Sequence, residues 1–267
     1  MSGDVSSVYT GGGDPKRSME LLWGVADKPR RGPKPRFTVE DIVGAAIELA
    51  DVEGIDAVTM RAVASALGLT AMSLYGYVPG KAELVDLMVD RVHAELGPPE
   101  TSGSGWRAEL EAVAHQTWEL HLRHPWLLQV SAVKPVLGPN VLAKWDNDLR
   151  AVDRLGLTPI EMDQVVTLVA NYVHGAVRSA VDLRRVGQDT GQDNDEWWRE
   201  YEPLLTELFD GERYPVAASV GEATDAEHYG PDAPLRAFEF GLARLLDGVA
   251  VLVDQAAHRS GPEADPL

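Results

Sequence analysis

The chain is 267 residues long, with 42 acidic and 24 basic side chains, a formal charge of −18 and no cysteine. That length holds one large domain or two ordinary ones, and the missing thiols exclude disulfides, thiolate metal sites and a cysteine nucleophile. No apolar run approaches the roughly 18 residues of a membrane span, residues 1–13 lack a secretion-signal core, and a cytoplasmic protein with no membrane partner is expected.

The acidity argues against a nucleic-acid partner only at the scale of the whole chain. Residues 1–27, 28–96 and 97–267 carry −2, −2 and −14, so the excess belongs to the last part. Residues 1–27, rich in Gly, Ser and Asp, read as a disordered tail around the small apolar patch Met19-Glu-Leu-Leu-Trp23. Residues 28–36 form a basic arm, +5 over nine residues, and its three prolines keep it extended.

The helical period then takes over. Thr38 with Asp41 is a capping-box start, Ile42, Ala46, Leu49 and Ala50 form an apolar stripe, and Gly54 ends the first helix. Thr59 caps a second short helix with Val63 and Leu67 inward, stopped by Gly68. Thr70 caps a third, from Ala71 to about Tyr77, and Pro79-Gly80 breaks the chain. A fourth runs from Lys81 to Leu96 with Leu84, Leu87, Met88 and Val92 on one face. Residues 97–105 read as a linker. Beyond it, helical periodicity marks 106–123, 125–135, 140–155, 159–186, 195–210 and 234–258, with polar loops at 187–195 and 215–234. Gly156-Leu-Thr158-Pro159-Ile-Glu161 is the clearest boundary: a stop, a cap, Pro at the first helical position and Glu at the third. The fold class is all-α: a three-helix helix-turn-helix domain over 37–96 followed by a helical domain over 97–267.

Three short helices with tight turns match a helix-turn-helix reader. Only Leu74 of the third helix is clearly apolar and inward, and its small or hydrogen-bonding neighbours suit a major groove. Helix starts at Thr59 and Thr70 offer free N–H groups to phosphates. From Ala57 to Ala82 there is no acid in 26 residues.

The run Arg36-Phe-Thr38…Gly54-Ile-Asp-Ala-Val-Thr59-Met-Arg61…Leu67-Gly68-Leu-Thr-Ala-Met-Ser-Leu74-Tyr75-Gly-Tyr77-Val-Pro-Gly-Lys81-Ala-Glu-Leu84 resembles the DNA-binding domain of the tetracycline-repressor (TetR) family. The resemblance implies that Ala71, Met72 and Ser73 meet base edges. It implies that Tyr75, Tyr77 and Lys81 hold phosphates, helped by Thr59 and Arg61. Ala and Met make only apolar contacts, so specificity is expected to lean on DNA shape and on Arg30, Arg31, Lys34 and Arg36 entering the minor groove.

The C-terminal part resembles the family's effector-binding and dimerisation domain more loosely, through His124-Pro-Trp-Leu-Leu128, Leu137-Gly-Pro-Asn140 and Asn171-Tyr-Val-His-Gly175. Counted from Trp106 and Gly175, Val113, Thr117, Trp145, Leu149, Val166, Ala170 and His174 are expected to face a cavity for a flat hydrophobic molecule; the same residue types also build ordinary core. Ser131 and Ser179 stand about where tetracycline-binding members carry magnesium-binding His and Glu, which argues against magnesium–tetracycline. No metal or cofactor is expected. His121 and His124 lack a third ligand, the acidic loop at Asp189 has Asn194 where a calcium loop needs Gly, and Ser131-Ala-Val-Lys134 lacks the companion motifs of serine acyltransferases.

Leu235, Phe238, Leu242, Leu245, Leu246, Val249 and Leu252 give the last helix more apolar surface than one core face needs. A homodimer through a four-helix bundle, on a palindromic DNA operator, is expected. The reading is a non-enzymatic transcriptional regulator, a repressor released by a small hydrophobic effector. The alternatives are an activator of the same family, a helical enzyme, and a partner-binding protein that no longer reads DNA.

Overall fold

A computed structural model of the chain describes residues 8–25, 36–98, 104–131, 134–228, 230 and 232–259. Among these residues the architecture is all-α, and extended pairing is confined to one isolated bridge between Tyr9 and Ser131.

The helices are α1 (Pro15–Leu22), α2 (Val39–Glu53), α3 (Met60–Ala66), α4 (Ala71–Tyr75), α5 (Lys81–His93), α6 (Trp106–Arg123), α7 (Pro139–Arg150), α8 (Pro159–Thr190), α9 (Asn194–Leu208), α10 (Pro215–His228) and α11 (Ala233–Arg259). A 3-10 turn at Pro125–Gln129 stands where a helix over 125–135 was expected. The capping boxes at Thr38/Asp41 and Thr158/Glu161 form as the sequence indicates. Gly68, at φ +64°, makes the left-handed turn between α3 and α4.

Three expectations need correction. The first concerns the tail over 1–27: residues 8–25 are ordered, and only 1–7 and 26–27 lie outside the described residues. Asp14 caps α1, accepting from the Arg17 N–H at 2.8 Å, and Leu21 and Leu22 pack on the core. The reason lies on α5, whose acids Glu83, Asp86 and Asp90 are buried and need donors. Asp86 accepts from the Gly11 N–H at 2.9 Å and the Ser18 hydroxyl at 3.3 Å, and Glu83 accepts from the Asp14 N–H at 3.0 Å. Burial nevertheless raises the Asp86 carboxyl above its ordinary range.

The second correction is α10, a helix where a polar loop over 215–234 was expected. Its sequence PVAASVGEATDAEH has Pro at the start and four alanines, which favour helix without an apolar face to announce it. The third is length: α8 continues to Thr190 before Gly191 closes it at φ +69°, α7 stops at Arg150, and α4 and α5 stop at Tyr75 and His93.

Two apolar cores organise the chain. The first joins Ile42, Ala46, Val63, Leu74, Leu84 and Met88 with Leu120, Trp126, Leu127 and Val136 from beyond residue 97. The second gathers Leu110, Trp118, Val165, Val169 and Val173 with Phe238, Leu242 and Leu246 between α6, α8 and α11. The first core thus draws on both sides of the 97–105 segment and packs the end of α6 against the unit that carries α3 and α4.

Candidate DNA-reading surface and effector cavity

Helix α4 is held by one side chain. Leu74 and the following Val78 are fully buried, while Ser73 is exposed, Met72 is 81 % exposed and Tyr75 49 %. The Thr70 hydroxyl accepts from the Ser73 N–H at 3.2 Å and shares a 2.9 Å hydrogen bond with the Ser73 hydroxyl. The Thr59 hydroxyl likewise accepts from the Ala62 N–H at 3.1 Å, starting α3. Thr59, Arg61 and Thr70 are exposed and Ala71 is half-buried. Tyr77 is half-buried and packs on the first core. Lys81 donates to the Ile55 carbonyl at 3.3 Å, which fixes its stem and leaves further N–H groups. Of the arm, Arg30, Arg31 and Lys34 lie outside the described residues; Arg36 stacks 5.3 Å over the Phe37 ring.

The second candidate site lies between α6, α7 and α8. A small space there, about 10 Å³, is lined by Leu110, Val113, Thr117, Lys144, Asp148, Val166, Val169, Ala170 and Val173. That is room for about one water. Val113, Thr117, Val166 and Ala170 sit on this lining as expected. Trp145 and Leu149 do not: Trp145 is 46 % exposed and Leu149 packs at the edge of the second core. Their places are taken by Lys144 and Asp148, one residue earlier on α7, a rotation of about 100° around the helix. His174 is off the lining and meets His121 edge to face, with ring centroids 5.7 Å apart.

Lys144 and Asp148 form an ion pair with side chains 16 % and 7 % exposed. Burial raises the Asp148 carboxyl, and Lys144 opposes that shift. Burial pushes His121 down to about 4 and lowers His93 and His174.

Polar residues that the sequence reading missed tie this region to the DNA-reading unit. His124 is buried between Asp51 at the end of α2, 2.8 Å away, and Glu95 just beyond α5, 3.2 Å away. The Trp126 indole also donates to Asp51 at 2.8 Å. His121 and His124, considered together as a metal pair, therefore have different partners. Asp90 of α5 accepts from the backbone N–H groups of Asn140 and Val141, both at 3.0 Å, and so caps α7. The signal for these was the burial of acids on α5, which helical periodicity alone assigns to solvent.

A helix-turn-helix unit joined through its last helix to a helical body with an internal cavity defines a DNA-binding regulator. Comparison with known proteins gives the family. The model for bacterial regulatory proteins of the tetR family matches residues 42–88, and that for the tetracyclin repressor-like C-terminal domain matches residues 98–253. The chain is 43 % identical over 258 residues to the HTH-type transcriptional repressor DrrR1 of Streptomyces coeruleorubidus, covering 96 % of this chain and 93 % of that protein. It is 34 % identical over 170 residues to an HTH-type transcriptional regulator of Saccharopolyspora erythraea, covering 64 % and 71 %. Apo ActR of Streptomyces coelicolor shares the fold, with a TM-score of 0.68 at 22 % identity over 84 % of this chain and all of that one. The chain belongs to the TetR family of transcriptional regulators.

Proposed function

We propose that the chain is a repressor that binds a palindromic operator as a homodimer and is released by a small hydrophobic effector. In this reading Ala71, Met72 and Ser73 enter the major groove. Thr59, Arg61, Thr70, Tyr75, Tyr77 and Lys81 hold phosphates, and Arg30, Arg31, Lys34 and Arg36 reach the minor groove. The observation that carries it is α4 itself, anchored by Leu74 with Val78 and Tyr77 just beyond it, while Met72 and Tyr75 are left exposed. A monomer core has no use for that arrangement, whereas a helix laid in a groove requires it. The 43 % identity to a transcriptional repressor supports the sign of regulation.

Dimerisation rests on α8 and α11. Of the residues expected at the interface, Phe238, Leu242, Leu246 and Val249 belong to the protomer's own core. Leu235 of that set faces outward, together with Leu168 on α8 and Phe240 and Val251 on α11, all 40 % or more exposed.

Release follows from the links around α5. An effector entering between α6, α7 and α8 has to displace them, since the space holds only about one water. Displacement of α7 acts on Asp90, and displacement of α6 acts on Asp51 and Glu95 through His124. Effector affinity differs between the two arrangements, and operator affinity falls by that difference.

Gel shifts on the chain's own upstream DNA test the reading. Binding is expected to be salt-sensitive and to saturate at one dimer per palindrome, with a dimer in sedimentation at micromolar concentration. A monomer, or equal binding to unrelated DNA, overturns it.

A further inference from the structure

Residues 8–25 hold both parts of the chain at once. On one side they meet α5. Asp86 accepts from the Gly11 N–H at 2.9 Å and the Ser18 hydroxyl at 3.3 Å, and Glu83 accepts from the Asp14 N–H at 3.0 Å. On the other side they meet Ser131, Lys134 and Leu137, ahead of α7. The Thr10 N–H donates to the Ser131 carbonyl at 3.1 Å, and the Ser131 N–H donates to that of Val8 at 2.9 Å. The Thr10 hydroxyl donates to the Lys134 carbonyl, and the Trp23 indole donates to that of Leu137 at 3.0 Å.

Two glycines make this double contact possible. Gly11, at φ +65°, would place a Cβ 3.1 Å from that of Lys134, and Gly13 would place one 2.4 Å from Oε1 of Glu83. The segment is thus threaded between the start of α5 and the chain that leads into α7 at Pro139. Glu83, Asp86 and Asp90 follow one another along one face of α5, and Asp90 accepts from the N–H groups of Asn140 and Val141. The segment, α5 and the start of α7 therefore close a ring, and a shift of α7 against the reader strains every side of it. The hold is also light. Leu21 and Leu22 reach the first core only partly buried, and Tyr9, Met19, Trp23 and Val25 are 40 % or more exposed. Segments attached in this way open locally at a fraction of the global stability.

We infer that residues 8–25 are a clasp, closed in the operator-binding arrangement and opened when α7 is displaced, so that operator and effector act on it in opposite senses. This rests on the repressor reading above and adds a regulatory element to it. Contacts made in one arrangement and lost in the other bias the equilibrium by their own free energy. Operator DNA must in turn tighten them, because coupling between sites is reciprocal.

The test is amide hydrogen exchange of the full wild-type chain, free and with the palindromic segment of its upstream DNA. Operator should slow exchange at the Thr10, Gly11, Asp14 and Ser131 amides at least fivefold, the low end of a coupling between sites, and should also protect α4. Ser131 belongs to the effector body, so its protection is not direct shielding by DNA. Protection of α4 with the clasp unchanged or faster overturns the inference and leaves the operator-binding reading standing. Protection of neither overturns both. A second measurement uses Gly13→Val, which sets a side chain against Glu83 and alters no charge. Its preference for the palindrome over unrelated DNA should fall roughly tenfold in fluorescence anisotropy. Non-specific affinity should hold, since it depends on phosphate charge. An unchanged preference in a variant that retains its thermal transition overturns the inference. Where the variant does not fold, the exchange measurement on wild type decides alone.

Discussion

Nδ1 of His124 lies 2.8 Å from Oδ1 of Asp51, joining the turn after α6 to the end of α2. The ring is 4 % exposed, and the same carboxylate also accepts from the Trp126 indole at 2.8 Å. Asp51 thus collects two side chains of the effector body at the foot of the DNA-reading unit. Burial of the His124 ring keeps water from replacing Asp51 on its side, so the contact is a stiff link between the two parts.

His124→Ala should therefore lower stability by about 2 kcal/mol, the range for losing a hydrogen bond to a charged group. Asp51→Ala should cost a similar amount. The double variant should lose clearly less than the sum, with a coupling of about 1 kcal/mol. Urea unfolding of the four proteins measures the cycle, and strict additivity would mean that the pair does not act as a unit.

Much of this architecture is legible in the sequence for one reason: short-range stereochemistry announces itself. The Thr38/Asp41 and Thr158/Glu161 caps and the Gly68 turn each depend on residues within four positions. What periodicity conceals is burial of polar groups. Asp86 and Asp90 look like solvent-facing residues of α5 until the N-terminal segment and α7 supply their donors. The α7 face was misassigned for the same reason. Lys144 and Asp148 neutralise each other and turn inward, while Trp145 stays outside. Helix α10 carries no stripe at all, so only intrinsic propensity could have revealed it.

Lys81 is the cation to remove from the reader. Its bond to the Ile55 carbonyl is a partly buried tie, and its loss should cost little stability. Lys81→Ala should weaken binding to specific and non-specific DNA alike and reduce the slope of log K against log salt by about one. Fluorescence anisotropy across a salt series reads both. An unchanged slope removes Lys81 from the phosphate contacts.

Gly138 is demanded by the cap on α7. A Cβ there would fall 2.1 Å from Oδ1 of Asp90, the carboxylate that receives the first N–H groups of the helix. Gly138→Ala must shift Asp90 or α7, at a cost of about 1–3 kcal/mol. Gly44→Ala, with nothing near its Cβ, should be neutral or slightly stabilising, since alanine favours helix. Thermal unfolding of the two variants side by side separates the local clash from a general effect of adding a methyl group.

His121 makes a pH prediction. Burial holds its folded-state pKa at about 4, against an ordinary 6.5. Between those values the unfolded chain binds a proton that the folded chain refuses. The stability from this group is complete above pH 6.5 and is lost as the pH falls toward 4, by about 3 kcal/mol in all. Asp86 and Asp148, whose carboxyls are raised by burial, work in the opposite direction, because protonation relieves their desolvation. His93 and His174, also lowered by burial, act in the same sense as His121. His121→Phe should therefore make the acid limb less steep between pH 6.5 and 4, while leaving stability above about pH 7 nearly unchanged in its pH dependence. Urea midpoints at half-unit pH intervals decide the matter. An acid limb in the variant as steep as in wild type would show that His121 is protonated in the folded chain.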